Sequence, residues 1–140
     1  MSLKQISVFL ENRPGALCEM TNVLAENNVD MRAFSLAEAS DFGIARIIVD
    51  NVYSASMVLK DAHYVHTITP VLAVVLSDTP GGLNSILKVL ENAGINVDYM
   101  YAFLGNKPGS AYMVFKVADP EKASEALRAR NIHMLEEMPV

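Results

Sequence analysis

Apolar positions along the chain fall into short runs that switch between a strand period and a helix period, and the whole pattern occurs twice. Residues 6–10 and 71–76 are short, branched and apolar, and each runs into a Pro-Gly step. Both read as strands closed by a turn. After Pro14 the apolar or near-apolar positions are Leu17, Met20, Thr21 and Leu24, the i, i+3, i+4, i+7 spacing of a helix with one buried face. Leu83, Ile86, Leu87 and Leu90 repeat that face after Pro80, each displaced by 66. Proline is expected in the first turn of both helices, where its missing N–H has no partner to lose. The helices should stop at Asn28 and Gly94, residue types that accept a left-handed backbone.

The middle of each half extends the repeat. Strands are predicted at 31–37 and 43–49, joined by a hairpin through 38–42, and another at 64–69. A second helix carries Ala55, Val58, Leu59 and Ala62, matched by Ala123, Ala126, Leu127 and Arg130 at an offset of 68. Asp119 and Pro120 supply the N-cap and first position of the later one. The move from 66 to 68 places two extra residues in the turn-rich stretch 104–110. Strand, helix, strand, strand, helix, strand in each half predicts an α+β chain of two ferredoxin-like βαββαβ domains. Each would have an antiparallel sheet with its helices on one face. The expected domains are 1–70 and 71–140, divided near Pro70, where an X-Pro step favours extended chain.

Composition narrows the chemistry. At 140 residues the length alone leaves one domain or two open, and the repeat decides for two. Hydrophobic residues at 51% against 19% charged are enough to build cores. Eleven Lys and Arg against 16 Asp and Glu give a net charge of −5 with no basic run, which argues against nucleic-acid and anionic-membrane partners. The single Cys18 excludes a disulfide framework and a cysteine-based zinc site. With no apolar run near the ~20 residues of a membrane span, and no signal-peptide core before Glu11, a cytoplasmic location is expected.

Few residues suggest catalysis or a cofactor. His63 and His66 straddle a helix end without a Cys or Glu to complete a tetrahedral metal set, and His133 stands in the matching part of the second half. No phosphate-binding glycine loop is present, and Cys18 falls inside a helix rather than on a nucleophile turn. Tyr99, Tyr101 and Tyr112 could stack bases on a sheet, but without the accompanying RNA-binding pattern. No metal, cofactor or catalytic residue is expected.

Glu11-Asn12-Arg13-Pro14-Gly15-Ala16-Leu17, followed by Asn28-Val29-Asp30, resembles the opening of ACT domains, the small amino-acid-sensing modules attached to enzymes of amino-acid metabolism. The first copy is most similar to the ACT domain of phosphoglycerate dehydrogenase. Asp78-Thr79-Pro80-Gly81-Gly82-Leu83, then Ala93-Gly94-Ile95-Asn96-Val97, resembles a second copy. The resemblance covers about 6–69 and 71–137 and implies a stand-alone, non-catalytic regulator that binds an amino acid.

An amino acid needs N–H donors for its carboxylate and oxygen acceptors for its ammonium. Backbone N–H groups of Gly15, Ala16 and Leu17, and of Gly81, Gly82 and Leu83, would supply the donors at two helix starts. Asn12 with Asp30, and Asp78 with Asn96, would supply the acceptors, each pair combining a carboxamide and a carboxylate. The plainer alternative is that Asn12 and Asp78 cap the helices while Asp30 and Asn96 are strand-entry residues. The resemblance further implies a ligand between two domains, the loop of one facing the first helix or second strand of its neighbour. Side-by-side pairing, as in a homodimer, would cover exposed sheet edges. Where the serine-sensing relative has a histidine two residues before its Asn, this chain has Leu10 and Leu76, which favours an apolar amino acid. Met31, Phe34, Met100 and Phe103 are the candidate lining, unless they belong to the core. The competing function is a ligand-free tandem module that assembles with a metabolic enzyme.

Overall fold

The computed structural model describes residues 3–103 and 108–136. Contacts divide the chain into Lys4–Thr69 and a second unit from Pro70 onward. The first contains β1 (Leu3–Glu11), α1 (Ala16–Glu26), β2 (Met31–Ala39), β3 (Phe42–Val49), α2 (Val52–Asp61) and the leading residues of β4 (His66–Ser77). The rest of β4 opens the second unit, followed by α3 (Gly82–Asn92), β5 (Val97–Phe103), β6 (Ser110–Val117), α4 (Pro120–Arg128) and β7 (Met134–Leu135). Strand order is β2-β3-β1-β4 in the first and β7-β4-β6-β5 in the second. Both units therefore have the ferredoxin-like arrangement. The two strands expected around Pro70 are one, because proline's fixed φ suits extended chain and only its N–H is lost.

The cores repeat with the sequence. Ile6, Val8, Met20, Leu24, Ile47, Val49, Ala55 and Leu59 are buried in the first unit. Leu72, Val74, Ile86, Leu90, Phe115, Val117, Ala123 and Leu127 are their counterparts in the second. The registers explain the match. Ile6 lies opposite Ile47 and Val8 opposite Ala45, while Leu72 lies opposite Phe115 and Val74 opposite Met113. Alternate residues of each central strand thus face the helices.

Helices α1 to α4 each close through a left-handed residue, at Asn28, His63, Gly94 and Asn131, with φ of 57°, 66°, 70° and 58°. The following N–H reaches back each time, from Val29 to the Leu24 carbonyl, Tyr64 to Leu59, Ile95 to Leu90 and Ile132 to Leu127. This is the Schellman closure. Asn28 and Gly94 were expected in that role; His63 and Asn131 repeat it in the later helices.

The Pro-Gly steps differ from expectation. Gly15 has φ 87° and ψ −16°, Gly81 φ 86° and ψ −4°, and each is the N-cap of its helix. The Ala16 N–H donates to the Arg13 carbonyl at 3.3 Å and the Gly82 N–H to that of Thr79 at 3.0 Å. Pro14 and Pro80 therefore occupy the second position of type II turns, ahead of the helices rather than in their first turn. Neither α1 nor α3 has a side-chain cap. Asp119 does cap α4 as expected, accepting from the Lys122 N–H at 3.1 Å, with Pro120 at the first position.

A Cβ on Gly82 would collide with the Ser77 carbonyl, whereas the counterpart Ala16 is accommodated and buried. Gly82→Ala should therefore destabilise the chain by about 1–3 kcal/mol, the usual range for overpacking. Ala16→Gly should cost only about 0.5–1 kcal/mol. Denaturant melts of the two variants beside the unmodified chain measure the difference.

Turn lengths account for the change of offset. Ala39 pairs with Phe42 across the two-residue turn Ser40-Asp41, shorter than the expected 38–42 loop. Phe103 pairs with Tyr112 where Ala37 pairs with Ile44, so the two extra residues lie between Phe103 and Tyr112. Residues 104–107 of the expected insertion lie outside the described residues.

Candidate functional site

The Pro-Gly loop of each unit is fastened to the hairpin beside it. The Asn12 N–H donates to the Asp41 carbonyl at 3.0 Å, and Asn12 Nδ2 donates to the Ser40 carbonyl at 2.9 Å. The carboxamide thus braces a turn instead of capping α1. Asp78 repeats the backbone bond, to the Gly109 carbonyl at 3.0 Å, but a carboxylate cannot repeat the side-chain donation. Of the proposed N–H donors, those of Ala16 and Gly82 are occupied in closing the turns. Those of Leu17 and Leu83 lie in the first helical turn, where no intrahelical acceptor exists. Their side chains pack on the two cores.

Asp30 is elsewhere. Its Oδ2 pairs with Arg32 Nη2 at 3.0 Å, and its N–H donates to Asp50 Oδ1 at 3.2 Å. It precedes Met31, at the Val49 end of β3, whereas Asn12 follows Glu11, at the Phe42 end. At about 3.3 Å per residue, β2 separates them by roughly 25–30 Å. Asp78 and Asn96 are parted in the same way, since Asn96 precedes Val97 at the Val117 end of β6. Asn96 Nδ2 instead donates to Asp98 Oδ1 at 3.3 Å, beside the Lys116–Asp98 ion pair at 3.3 Å. Neither acceptor pair forms within its own unit.

A notch of about 80 Å³ lies beside Asn12, lined by apolar Leu10, Ala16, Leu17, Leu36 and Ala37 and by charged Glu11, Arg13 and Glu38. Leu36 is 52% exposed and Phe34 37%, both on β2, at the sheet edge. Leu36 was not among the expected lining residues. Its signal was period-two spacing from Phe34, read only as strand. The expected lining is otherwise redistributed: Met31 and Met100 pack on the cores, and Phe103 stacks on Tyr112 with centroids 5.2 Å apart. Tyr112 is buried, so it offers no open face for a base.

His66 has local partners. His66 Nε2 lies 2.7 Å from Ser56 Oγ and its Nδ1 3.0 Å from the Tyr64 carbonyl. Among the described residues no three His, Cys, Asp or Glu side chains converge on a metal position, and no helix is long and apolar enough to cross a membrane.

A family model described as an ACT domain pair matches residues 1–140. The crystal structure of protein BT0572 from Bacteroides thetaiotaomicron is similar at 38% identity, with a TM-score of 0.90, covering 96% of this chain and 92% of that one. The ligand-free regulatory subunit of aspartate kinase from Thermus thermophilus shares the fold at 16% identity and TM-score 0.70, covering 91% and 90%. The regulatory subunit of aspartate kinase from Thermus flavus does so at 17% identity and TM-score 0.68, with the same coverage. No curated protein matches the chain.

Proposed function

The chain belongs to the family of ACT domain pairs, and from that premise we propose that it is a non-catalytic regulatory protein sensing a small apolar amino acid. The observation that carries the reading is the notch beside Asn12. Its floor of Leu10, Leu17 and Leu36 suits a short aliphatic side chain, and the loop beside it offers the Asn12 carboxamide oxygen and the Leu17 N–H to the charged groups. Leu10 contributes hydrocarbon where a serine sensor would need a hydrogen-bonding partner. Gly15 and Ala16 shape the turn, and Asp30 joins the ligand from a second copy, since it stands too far from Asn12 in its own. Asp78, Gly81, Gly82, Leu83 and Asn96 are the corresponding set in the second unit.

A homodimer through the β2 edge is part of the proposal, supported by exposed Phe34 and Leu36 on that strand. Ligand bound across such an interface favours one arrangement of the copies, and that differential affinity is the signal. A cytoplasmic enzyme of amino-acid metabolism is the proposed recipient. The Thermus neighbours are themselves regulatory subunits of an enzyme, aspartate kinase.

Thermal denaturation against each of the twenty amino acids tests the reading. One apolar amino acid should stabilise the chain by about 2.7 kcal/mol at a hundredfold excess over its Kd. Leu36→Asp should abolish that shift while changing the stability of the free chain by only about 0.5 kcal/mol, as befits a half-exposed site. Twenty inert amino acids at millimolar concentration would overturn the proposal.

A further inference from the structure

Helix α2 buries Ala55 and Leu59, and Ser56 lies one step round from that face, on the helix flank. The helix closes at left-handed His63, with the Tyr64 N–H returning to the Leu59 carbonyl. The chain therefore doubles back, and β4 begins at His66 beside the flank that carries Ser56. Ten residues apart in sequence, the two side chains meet, with Ser56 Oγ 2.7 Å from His66 Nε2. On the other side of the ring, His66 Nδ1 lies 3.0 Å from the Tyr64 carbonyl.

A carbonyl oxygen only accepts, so in the neutral ring the proton sits on Nδ1. Nε2 is then a bare lone pair, and the Ser56 hydroxyl donates to it. A nucleophile, a base and a group that orients the base are thus joined in one line, the arrangement that activates a serine. Both side chains are half-buried, which leaves the hydroxyl within reach of a small molecule. Lys60 follows Ser56 by one helical turn and is exposed, so a positive charge stands ready for an anionic donor. The orienting group is an uncharged carbonyl, which gives the developing imidazolium no counter-charge. Such a pair suits a donor that already carries a good leaving group. Displacement by 68 turns Ser56 and His66 into Ser124 and Met134. Ser124 is buried and a thioether is no base, so the second unit lacks both access and activation.

We infer that Ser56 is a covalent modification site, acylated by a small acyl phosphate with His66 as its base. Ser56 Oγ bonds to the acyl carbon while the bond from that carbon to the phosphate oxygen breaks. Phosphate leaves with the electron pair, and the hydroxyl proton passes to His66 Nε2 and on to the departing phosphate. The product is one serine ester per chain, a modification rather than turnover. It rests on none of the residues that line the notch beside Asn12, so it stands or falls apart from the amino-acid sensor.

Incubation of the full chain with acetyl phosphate, followed by peptide mass mapping, tests it. Ser54 is the internal reference, because it is more exposed than Ser56 and no histidine bonds its hydroxyl. Acetyl should accumulate on Ser56 at least about tenfold faster than on Ser54, the lower reach of general-base assistance. His66→Gln retains a side chain that can bond Ser56 but supplies no base, and it should remove that excess. Ser124 should stay unmodified. The comparison of Ser54 with Ser56 in the unmodified chain carries the test should the variant not fold. Equal labelling of the two serines, labelling that survives His66→Gln, or acetyl confined to lysines would each overturn the inference. A phosphoryl group on Ser56 in place of acetyl would overturn it too, since attack would then be at phosphorus.

Discussion

Leu24→Ala and Leu90→Ala should each lower the stability of the chain by about 2–5 kcal/mol, the range for emptying a fully enclosed leucine site. The two residues are the same position in the two copies, 0% and 2% exposed, at the end of the helix that follows each Pro-Gly turn. Each side chain is part of its unit's own core, and each carbonyl accepts the N–H that closes the helix, from Val29 and Ile95. Truncation leaves the hydrogen bond intact and removes only packing, so the loss reports how far the surrounding side chains can collapse into the space. Urea denaturation gives the size of the loss. Native-state hydrogen exchange gives its location: protection should fall most within Lys4–Thr69 for Leu24→Ala, and in the residues from Pro70 onward for Leu90→Ala. Met57→Ala on the outer face of α2, 59% exposed, is the control and should stay within about 0.5 kcal/mol. A loss below about 1 kcal/mol at either leucine would mean that its core is not close-packed.

The same repeat that pairs Leu24 with Leu90 made most of the fold legible in the sequence. Burial on one helix face imposes a spacing that survives as a pattern, and the spacing recurred at 66. Short-range hydrogen bonding was legible too, as in the Asp119 cap and the left-handed Asn28 and Gly94. The role of the two prolines was misread because Pro-Gly serves a type II turn and a helix start almost equally well. Only the φ of Gly15 and Gly81 separates them. The site was harder. Asn12 and Asp30 lie 18 residues apart in the chain, and they were paired by their chemistry without regard to the helix between them. The two residues bracket α1 and so stand at its opposite ends, and at opposite ends of the strands it packs on. Leu36 was invisible as a pocket residue because its alternation with Phe34 is what any half-buried strand shows. Whether an apolar strand residue is covered depends on the reach of the helix above it, which no local pattern records.

Gly15→Pro and Gly81→Pro should have the other large effect, and here the cause is backbone alone. Nothing lies within 4 Å of a Cβ built at either glycine, so a side chain meets no obstacle. The penalty comes from φ values of 87° and 86°, which an L-residue reaches at a cost of about 1–2 kcal/mol. A proline ring, held near −65°, does not reach them at all. A graded series follows: Asn least harmful because it tolerates the left-handed region, Ala intermediate, Pro worst. In the proline variants the turn cannot close, so the Ala16 N–H loses the Arg13 carbonyl, or the Gly82 N–H that of Thr79. The first turn of the helix then loses its fixed position over the sheet. Gly15→Pro should accordingly abolish the apolar ligand's thermal shift at the Asn12 notch, and Gly81→Pro should spare it. Circular dichroism should show most helix retained in both, since α2 and α4 do not depend on these turns. Loss of the shift from Gly81→Pro would show that the two loops are coupled, and its retention in Gly15→Pro would place the ligand away from that turn.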